Sequence, residues 1–268
     1  MTGVLRIVSP GVATTVQDAG RFGFAHLGLG SAGFVDRDEV ARLNRAVGNE
    51  PNAAVIESAG GCVIEVESTM LCAASGWVAP RVLAEGERFE VRPARGRQWA
   101  YVALSGGVDG DARLGSLSAD SMALLNPVPL ETGTRIATKA VTADVPADVV
   151  VPSREVSLIR LWPGPQPERL GATVLSQLTS QTWTIRENSR VGVRLGGHAL
   201  TDLLDGGLAS SEPMIVGAIQ LPPDGMPIIL SRDHPVTGGY PIAAVIEPLD
   251  LSAVLGRAYG ESVRFTMA

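Results

Sequence analysis

The sequence predicts a mainly β protein, built as antiparallel barrels or sandwiches with a few short helices. Three observations predict this class: short apolar runs recur along the chain, glycine and proline interrupt them (31 Gly and 18 Pro in 268 residues), and few segments have a helical period. This spacing favours antiparallel β architecture over a βαβ sheet. The predicted strands are residues 4–8, 62–66, 99–104, 156–162, 181–185, 191–195, 218–221, 228–230, 242–246 and 263–267.

The first predicted helix spans residues 37–47. Asp36 is its expected N-cap, Glu39 is placed to complete a capping box three residues later, and Gly48 is the expected stop. Its apolar positions share one face, which should pack as a lid or plug. These positions are Val40, Leu43 and Val47.

A second helix is predicted over residues 167–179, because Pro167 opens a stretch with leucine and valine at helical spacing. Residues 142–153 contain two prolines and end just before a new strand signal. We therefore place a domain boundary there, with an N-terminal β unit over residues 1–150 and a C-terminal β unit over residues 151–268.

Charge and hydropathy exclude several classes of partner. A net charge of -6, without a lysine-rich or aromatic-interleaved basic stretch, argues against nucleic acid. Nothing resembles a leader or the about 18 consecutive apolar residues of a membrane helix, so we expect a cytoplasmic protein without membrane contact. Cys62 and Cys72 could face one another across a hairpin, and buried thiols are favoured over a disulfide.

Lysine is nearly absent: Lys139 is the only one among 22 basic residues. A phosphate-binding loop, a Schiff-base enzyme and a biotin carrier each need a lysine in a particular context, and Lys139 fits none of them. Carboxylates or phosphates would therefore be bound by arginine side chains, backbone N–H groups or a partner chain.

Polar residues and glycines cluster before the first predicted helix. Gln17, Asp18 and Arg21 are followed by His26 and by glycines at 28, 30 and 33. Arg21 could bind a carboxylate or phosphate, His26 could transfer a proton, and the helix N-terminus could bind an anion. The glycine spacing matches a dinucleotide fingerprint by letter only, since no convincing βαβ unit surrounds it.

Residues 231–241 form the most informative stretch, because an acid, an imidazole, a hydroxyl and a glycine pair lie between two apolar runs. Asp233, His234 and Tyr240 are candidates for proton transfer or substrate orientation. The candidates for substrate binding in the same loop are Thr237, Gly238 and Gly239. The glycine pair permits positive φ and a close approach to a ligand. The alternative is a tight turn that carries a solvated Asp–His pair.

Arg190 and Arg194 fall on one face of a predicted strand. Two exposed arginines are the simplest interpretation; paired with a buried acid, they would form an anion clamp. The three histidines lack the spacing of a metal site, so we predict no metal. The chain also lacks the Gly-x-Ser-x-Gly elbow of α/β hydrolases.

Several motifs, taken in order, resemble a known family. Residues 15–21, 26–28, 36–37 and 43–49 resemble the opening of the carboxyltransferase family. This family includes the C subunit of prokaryotic 5-oxoprolinase, allophanate hydrolase subunit 2, the KipA protein and part of urea carboxylase. The later stretches that resemble it are residues 105–109, 114–116, 163–166, 190–195, 217–225 and 233–241.

The resemblance implies a cyclophilin-like β-barrel architecture and a partner of the KipI-like type, the B subunit. It also implies ATP-dependent opening of 5-oxoproline to glutamate together with a LamB/YcsF-like A subunit, with ATP and magnesium bound jointly with the partner and the isolated chain inactive. Arg21, Arg190 and Arg194 would neutralise anionic oxygens of an amide or ureido substrate. The other binding positions implied are Gln17, Asp18, His26 and Gln220.

Two departures from the family pattern point to a changed pocket or substrate. Residues 118–132 look shortened and lack a glycine-rich stretch, and Val193 stands where tyrosine is usual. Two further hypotheses stay open. One is a biotin-dependent carboxyltransferase module of the urea carboxylase type, which would receive carboxybiotin from another protein. The other is a KipA-like regulator without enzymatic activity that binds a KipI-like partner.

Overall fold

The computed structural model describes residues 2–126, 129–140, 156–166, 169–201 and 210–268. By its packing the chain divides into two compact units. Unit 1 comprises Met1–Phe22 and Ser31–Arg154, and unit 2 comprises Gly23–Gly30 and Glu155–Ala268. The boundary predicted at residues 142–153 lies outside the described residues. The short segment Gly23–Gly30 belongs to unit 2, which a contiguous division does not anticipate.

Unit 1 contains two five-stranded antiparallel sheets among its described residues. The first has the order β7-β4-β1-β10-β9, with β1 Val4–Ser9, β4 Cys62–Val66, β7 Arg88–Val91, β9 Val108–Asp109 and β10 Arg135–Thr138. The second has the order β2-β3-β8-β5-β6, with β2 Ala13–Gln17, β3 Val55–Ala59, β5 Met70–Ala74, β6 Arg81–Leu83 and β8 Trp99–Leu104. One apolar cluster takes side chains from both sheets, including Ile7, Ile64, Cys72 and Val102. Each fully buried aliphatic side chain of this kind contributes about 1.5–3 kcal/mol.

Helix α1, Arg37–Ala46, packs against β8 and β5. The predicted N-cap is confirmed, since the side chain of Asp36 accepts a hydrogen bond from Glu39 N at 3.1 Å. The predicted capping box is wrong in its second half. Glu39 turns to Arg42, with contacts of 3.0 and 2.7 Å, while Asp36 N donates to Tyr101 Oη at 2.9 Å.

Unit 2 contains a closed barrel of seven strands among its described residues, in the order β11-β18-β15-β16-β13-β12-β19. The strands are β11 Ile159–Pro163, β12 Thr182–Asn188, β13 Gly192–Gly196, β15 Ala218–Gln220, β16 Ile228–Leu230, β18 Ile242–Ile246 and β19 Ser262–Met267. Neighbours are antiparallel except β11 and β19, which pair in parallel. Alternate side chains along β12, β13 and β19 are buried, as barrel closure requires.

The described part of unit 2 also contains two short α-helices and a two-stranded ribbon. The helices are α2, Val174–Ser180, and α3, Leu251–Leu255. The ribbon pairs β14, Glu212–Pro213, with β17, Thr237–Gly238, in antiparallel register. The observed α2 begins later than predicted, and residues 167–168 at the predicted start lie outside the described residues. In the described parts of the chain, no helix has the length and apolar character needed to cross a membrane.

The mainly β prediction and the barrel are confirmed. Four strands begin and end at the residues that the sequence predicted. These are residues 62–66, 99–104, 228–230 and 242–246. The expected hairpin between the cysteines is wrong, because β4 and β5 belong to different sheets. Both thiols are free and buried, and burial raises the pKa of Cys62 to about 11 and that of Cys72 to about 12.

Candidate functional site

The loop between β16 and β18 is held by a buried ion pair. The guanidinium of Arg190 donates to both carboxylate oxygens of Asp233, at 2.9 and 2.7 Å. Asp233 N also donates to Arg190 O at 2.7 Å. Both side chains are buried, so the alternative of a solvated Asp–His turn is wrong at Asp233. These contacts connect the loop to Arg190. Breaking the ion pair is costly, because removal of one partner leaves the charge of the other buried without it.

His234 is also buried, and its ring orientation is defined by a neighbouring carbonyl. Its Nδ1 lies 2.8 Å from Pro235 O, and a carbonyl only accepts hydrogen bonds, so this contact assigns the proton to Nδ1. Nε2 is then the acceptor of the ring. Burial, aided by the positive charge of Arg232, lowers the pKa of His234 despite the opposing effects of Pro235 O and Asp233. The side chain is therefore a neutral base near pH 7.

The segment Gly23–Gly30 packs near this loop within unit 2. A Cβ built on Gly30 would lie 3.5 Å from His234 O and 3.9 Å from Arg232 O. His26 lies in a short 3-10 helix, Ala25–Leu27, and is exposed. His26 therefore belongs to the unit of the 231–241 loop, whereas Gln17, Asp18 and Arg21 belong to unit 1.

A second polar group in unit 2 surrounds the β14–β17 ribbon. Gln166 Oε1 accepts from Ile242 N at 3.1 Å, and Gln166 Nε2 donates to Glu212 Oε2. Within the described residues, Gln220 Nε2 makes two weak contacts, 3.4 Å to the thioether sulfur of Met214 and 3.5 Å to Tyr240 O. The predicted residues Thr237, Gly238 and Tyr240 also lie at this ribbon or just after it, and Thr237 and Tyr240 are exposed.

Neither glycine of the pair has an unusual backbone conformation, and close packing constrains only Gly238. Neither Gly238 nor Gly239 has a positive φ, so the expected left-handed conformation is wrong. A Cβ on Gly238 would lie 2.6 Å from Gln220 Nε2 and 3.0 Å from Met214 Cε. A Cβ on Gly239 would meet nothing within 4 Å. A side chain at position 238 would therefore displace Gln220 and Met214, whereas one at position 239 would displace nothing within 4 Å.

The predicted pairing of two arginines on one face is not observed. Arg190 precedes β13 and is buried against Asp233. Arg194 lies within β13, is 48% exposed at its side chain, and has Glu187 Oε2 3.7 Å from its Nε. An anion clamp made of both side chains is therefore not formed in this structure.

In unit 1 the predicted Gln17, Asp18 and Arg21 anchor residues 116–120. Asp18 Oδ1 accepts from Gly20 N and from the hydroxyls of Ser116 and Ser118 at 2.6–2.8 Å, and its Oδ2 accepts from Leu117 N at 2.7 Å. Burial disfavours the charge, but these donors outweigh it and lower the pKa of Asp18. The carboxylate of Asp18 therefore stabilises the conformation of residues 116–118.

Arg21 and Gln17 face the same segment from inside unit 1. Arg21 Nη2 donates to Ser118 O, and its Nη1 lies 3.7 Å from Asp120 Oδ2. Gln17 Nε2 donates to Thr15 Oγ1 and Ala119 O, each at 3.1 Å. Arg21, Gln17 and Asp120 are buried. The guanidinium predicted to bind a substrate anion is thus directed at the protein's own chain.

A buried acid–phenol network, which the sequence patterns did not predict, lies at the start of α1. Glu57 Oε2 accepts from Val35 N at 2.8 Å. Burial, together with the charges of Glu57 and Asp36, raises the pKa of Tyr101 well above its ordinary value. Asp36 also contacts Arg97. Because its own cap and neighbours occupy the helix N-terminus, this end of α1 is not an open anion site.

The chemistry of the described residues does not fit a complete site for ATP and magnesium. Within those residues, no three His, Cys, Asp or Glu side chains cluster as metal ligands. Arg21 and Arg190 already contact carboxylates of the chain, and the N-terminus of α1 is capped. We derive no step through the nucleotide from these residues.

Two polar residues of unit 2 were missed as site candidates. Gln166 fell within a motif but attracted no role, and Glu212 precedes a proline without any periodic pattern. Glu57 did carry a signal, since it is a charged residue inside an otherwise uncharged, fully buried strand. Glu212 had no comparable signal, because its partner is 46 residues away along the chain.

A closed seven-stranded barrel with a polar loop and ribbon, joined in one chain to a second β unit, is the architecture that defines the class of this protein. Residues 27–267 match the carboxyltransferase domain family, subdomain A and B, and the chain belongs to that family. The C subunit of 5-oxoprolinase from Escherichia coli (strain K12) is 29% identical over 98% of this chain and 90% of its own length. The urea amidolyase of Lachancea kluyveri is 27% identical over 97% of this chain, which spans 16% of that enzyme.

A solved structure shares the same fold. The crystal structure of TTHA0988 superposes with a TM-score of 0.87 at 28% identity. It covers 98% of this chain, and this chain spans 56% of that chain. The architecture described above is therefore found within a longer polypeptide.

Proposed function

We propose that this chain is the C subunit of an ATP-dependent 5-oxoprolinase, which opens 5-oxoproline to glutamate. The observation that supports it is mutual coverage: the chain and the C subunit of E. coli 5-oxoprolinase match over 98% and 90% of their lengths, whereas urea amidolyase is matched over 16% of its length. In this proposal the partners are a KipI-like B subunit and a LamB/YcsF-like A subunit, and the chain alone is inactive.

Within this function, the residues of unit 2 bind and orient the lactam. Neutral His234 offers Nε2 as a proton acceptor, as a general base for an attacking water requires. The Arg190–Asp233 pair holds the loop that carries His234 and thereby fixes the ring position. Tyr240 lies at the edge of the same loop and is 41% exposed, and in this proposal it contacts the substrate.

ATP and magnesium are proposed to bind mainly through the partner, because the described residues of this chain do not form a complete site for them. Coexpression of the three subunits followed by measurement of glutamate from 5-oxoproline tests the function. We expect ATP-dependent glutamate formation only when this chain is present. Turnover by the other subunits without this chain would contradict the proposal.

Carboxyl transfer is the second candidate, favoured by the family match and by the relation to urea amidolyase. Carboxybiotin would then arrive from another protein, since Lys139 does not lie in a biotin-carrier context. Avidin separates the two functions. It would abolish a carboxyltransferase activity and leave 5-oxoproline opening unchanged.

A further inference from the structure

Glu212 presents a carboxylate oxygen beside the β14–β17 ribbon of unit 2. Gln166 is oriented by Ile242 N and donates to Glu212 Oε2. Among the described residues, no donor contacts Glu212 Oε1, and the side chain is only partly buried. One oxygen is thus held in place while the other keeps its capacity to accept a hydrogen bond.

In the ribbon, the side chain of Glu212 lies on the face toward which a side chain at Gly238 would point. Glu212 pairs directly with Gly238, and opposed residues of an antiparallel pair point to the same face, with Cβ atoms about 4.5–5.5 Å apart. A Cβ on Gly238 would lie 2.6 Å from Gln220 Nε2 and 3.0 Å from Met214 Cε. Gln220 Nε2 and Met214 Cε thus fill the face of the ribbon next to Gly238, which places the Gln220 amide beside the strand position opposite Glu212.

We infer that Glu212 and Gln220 form a recognition site for the edge of a cis amide, in which Glu212 Oε1 accepts the substrate N–H and Gln220 Nε2 donates to its C=O. The contacts of Gln220 Nε2 are weak, one to a thioether sulfur and one of 3.5 Å to a carbonyl oxygen, so they can be exchanged for a substrate carbonyl. A lactam such as 5-oxoproline and a ureido compound such as urea both present this edge. The inference rests on the proposed function for the choice of 5-oxoproline, and on the ribbon geometry for the site itself.

Methyl NMR tests the site directly. The chain contains 6 methionines, and selective ¹³C-methyl labelling with Met214→Leu as the assignment control identifies the Met214 signal. We expect 5-oxoproline to shift this signal saturably, in the full chain or in its complex with the partner subunits. Glu212→Gln should weaken that binding at least about tenfold, as expected when a hydrogen bond to a charged group is lost.

A matched control and an analogue separate recognition from folding. Glu187→Gln, on the exposed side of β12, should leave the affinity unchanged. On the unmodified protein, N-methyl-5-oxoproline, which lacks the N–H, should bind at least about tenfold more weakly than 5-oxoproline. This measurement needs no variant and stands even if Glu212→Gln impairs folding.

The outcomes distinguish this site from the proposed function. If the complex does not open 5-oxoproline but urea shifts the Met214 signal and Glu212→Gln weakens that binding, the amide site holds and the proposed function fails. If the complex opens 5-oxoproline but neither compound shifts the signal, the site is wrong. Equal affinity for 5-oxoproline and its N-methyl analogue would also overturn it.

Discussion

Arg190 and Asp233 form a two-point buried ion pair, with nitrogen–oxygen distances of 2.9 and 2.7 Å, that joins the residues before β13 to the loop after β16. The backbone repeats the connection, since Asp233 N donates to Arg190 O at 2.7 Å. Because His234 follows Asp233 directly, the ion pair determines where the imidazole lies. The geometry of the loop and the position of the imidazole are thus linked through the contacts between these two residues.

Asp233→Asn should destabilise unit 2 by about 3–5 kcal/mol, because it leaves the guanidinium of Arg190 buried without its counter-charge. Equilibrium unfolding in urea, followed by tryptophan fluorescence, measures the change. The double variant Arg190→Met with Asp233→Leu should recover most of the loss, since neither member of the pair is then left without the other. Arg194→Met is the control, and we expect it to change stability by no more than about 0.5 kcal/mol. A loss under about 1 kcal/mol for Asp233→Asn would contradict this role.

Asp18→Asn should remove a pH-dependent contribution to stability. The pKa of Asp18 is lowered in the folded chain because its four donors outweigh the effect of burial. The stabilisation is therefore present above the unfolded pKa of about 3.9 and is lost as pH falls through the folded pKa. We expect a loss of about 1–3 kcal/mol near pH 7 that shrinks below about pH 4.

Unfolding curves of both proteins between neutral and acid pH check this prediction. Asp111→Asn, at an exposed position, is the matched control and should follow the wild type throughout. A difference between Asp18→Asn and wild type that stays constant with pH would show that Asp18 is not stabilised as a carboxylate.

Several strands of the barrel were predictable from the sequence because they are apolar runs bounded by glycine or proline, whereas the barrel itself was implied by the family resemblance. β16 and β18 were placed at their observed limits on this pattern alone. The cap of α1 was equally local, since Asp36 acts on a residue three positions away. Local chemistry of this kind can be read without knowing the fold.

The side-chain pairing in the site was not predictable, because it joins residues far apart along the chain. Arg190 reaches Asp233 and Gln166 reaches Glu212 across 43 and 46 positions. The alternation that placed Arg190 and Arg194 on one face assumed a strand through both, but β13 begins at Gly192, after Arg190. Burial, which decides whether an arginine binds a ligand or an internal acid, is a property of the tertiary packing.

The wild-type protein should lose stability in mildly acidic solution because of His234, and His234→Asn should abolish that loss. Burial lowers the pKa of His234 in the folded chain, so the unfolded chain takes up a proton below its pKa of about 6.5 while the folded chain stays neutral. Stability from this group is therefore complete above about pH 6.5 and is lost as pH falls towards the folded pKa. Asparagine retains a donor for Pro235 O without titrating.

The measurement is the free energy of unfolding at several pH values between about 7.5 and 5, the range in which histidine titrates. His26→Asn, at an exposed histidine, is the control and should keep the wild-type dependence. If His234→Asn keeps the same slope, the ring is not buried in its neutral form, and its role as a base loses its basis.

Gly238→Ala and Gly239→Ala form a matched pair that separates substrate binding from stability. The new methyl at 238 would lie 2.6 Å from Gln220 Nε2 and 3.0 Å from Met214 Cε, both ends of flexible side chains, so we expect these to move at a cost of about 1 kcal/mol. At 239 a methyl meets nothing within 4 Å, and the lower entropy of the unfolded chain should leave stability unchanged or raise it by about 0.4–1 kcal/mol.

The two variants should differ more in KM for 5-oxoproline than in stability. The displaced Gln220 and the methyl at 238 both enter the area beside Glu212, so Gly238→Ala should raise KM for 5-oxoproline in the complete complex at least about tenfold. Gly239→Ala should leave KM within about twofold, because surface changes away from such contacts have little effect. Steady-state glutamate formation measures KM, and melting curves on the same preparations measure stability. If Gly239→Ala raised KM as much as Gly238→Ala, the effect would come from the loop backbone and not from the face of the ribbon that carries Glu212.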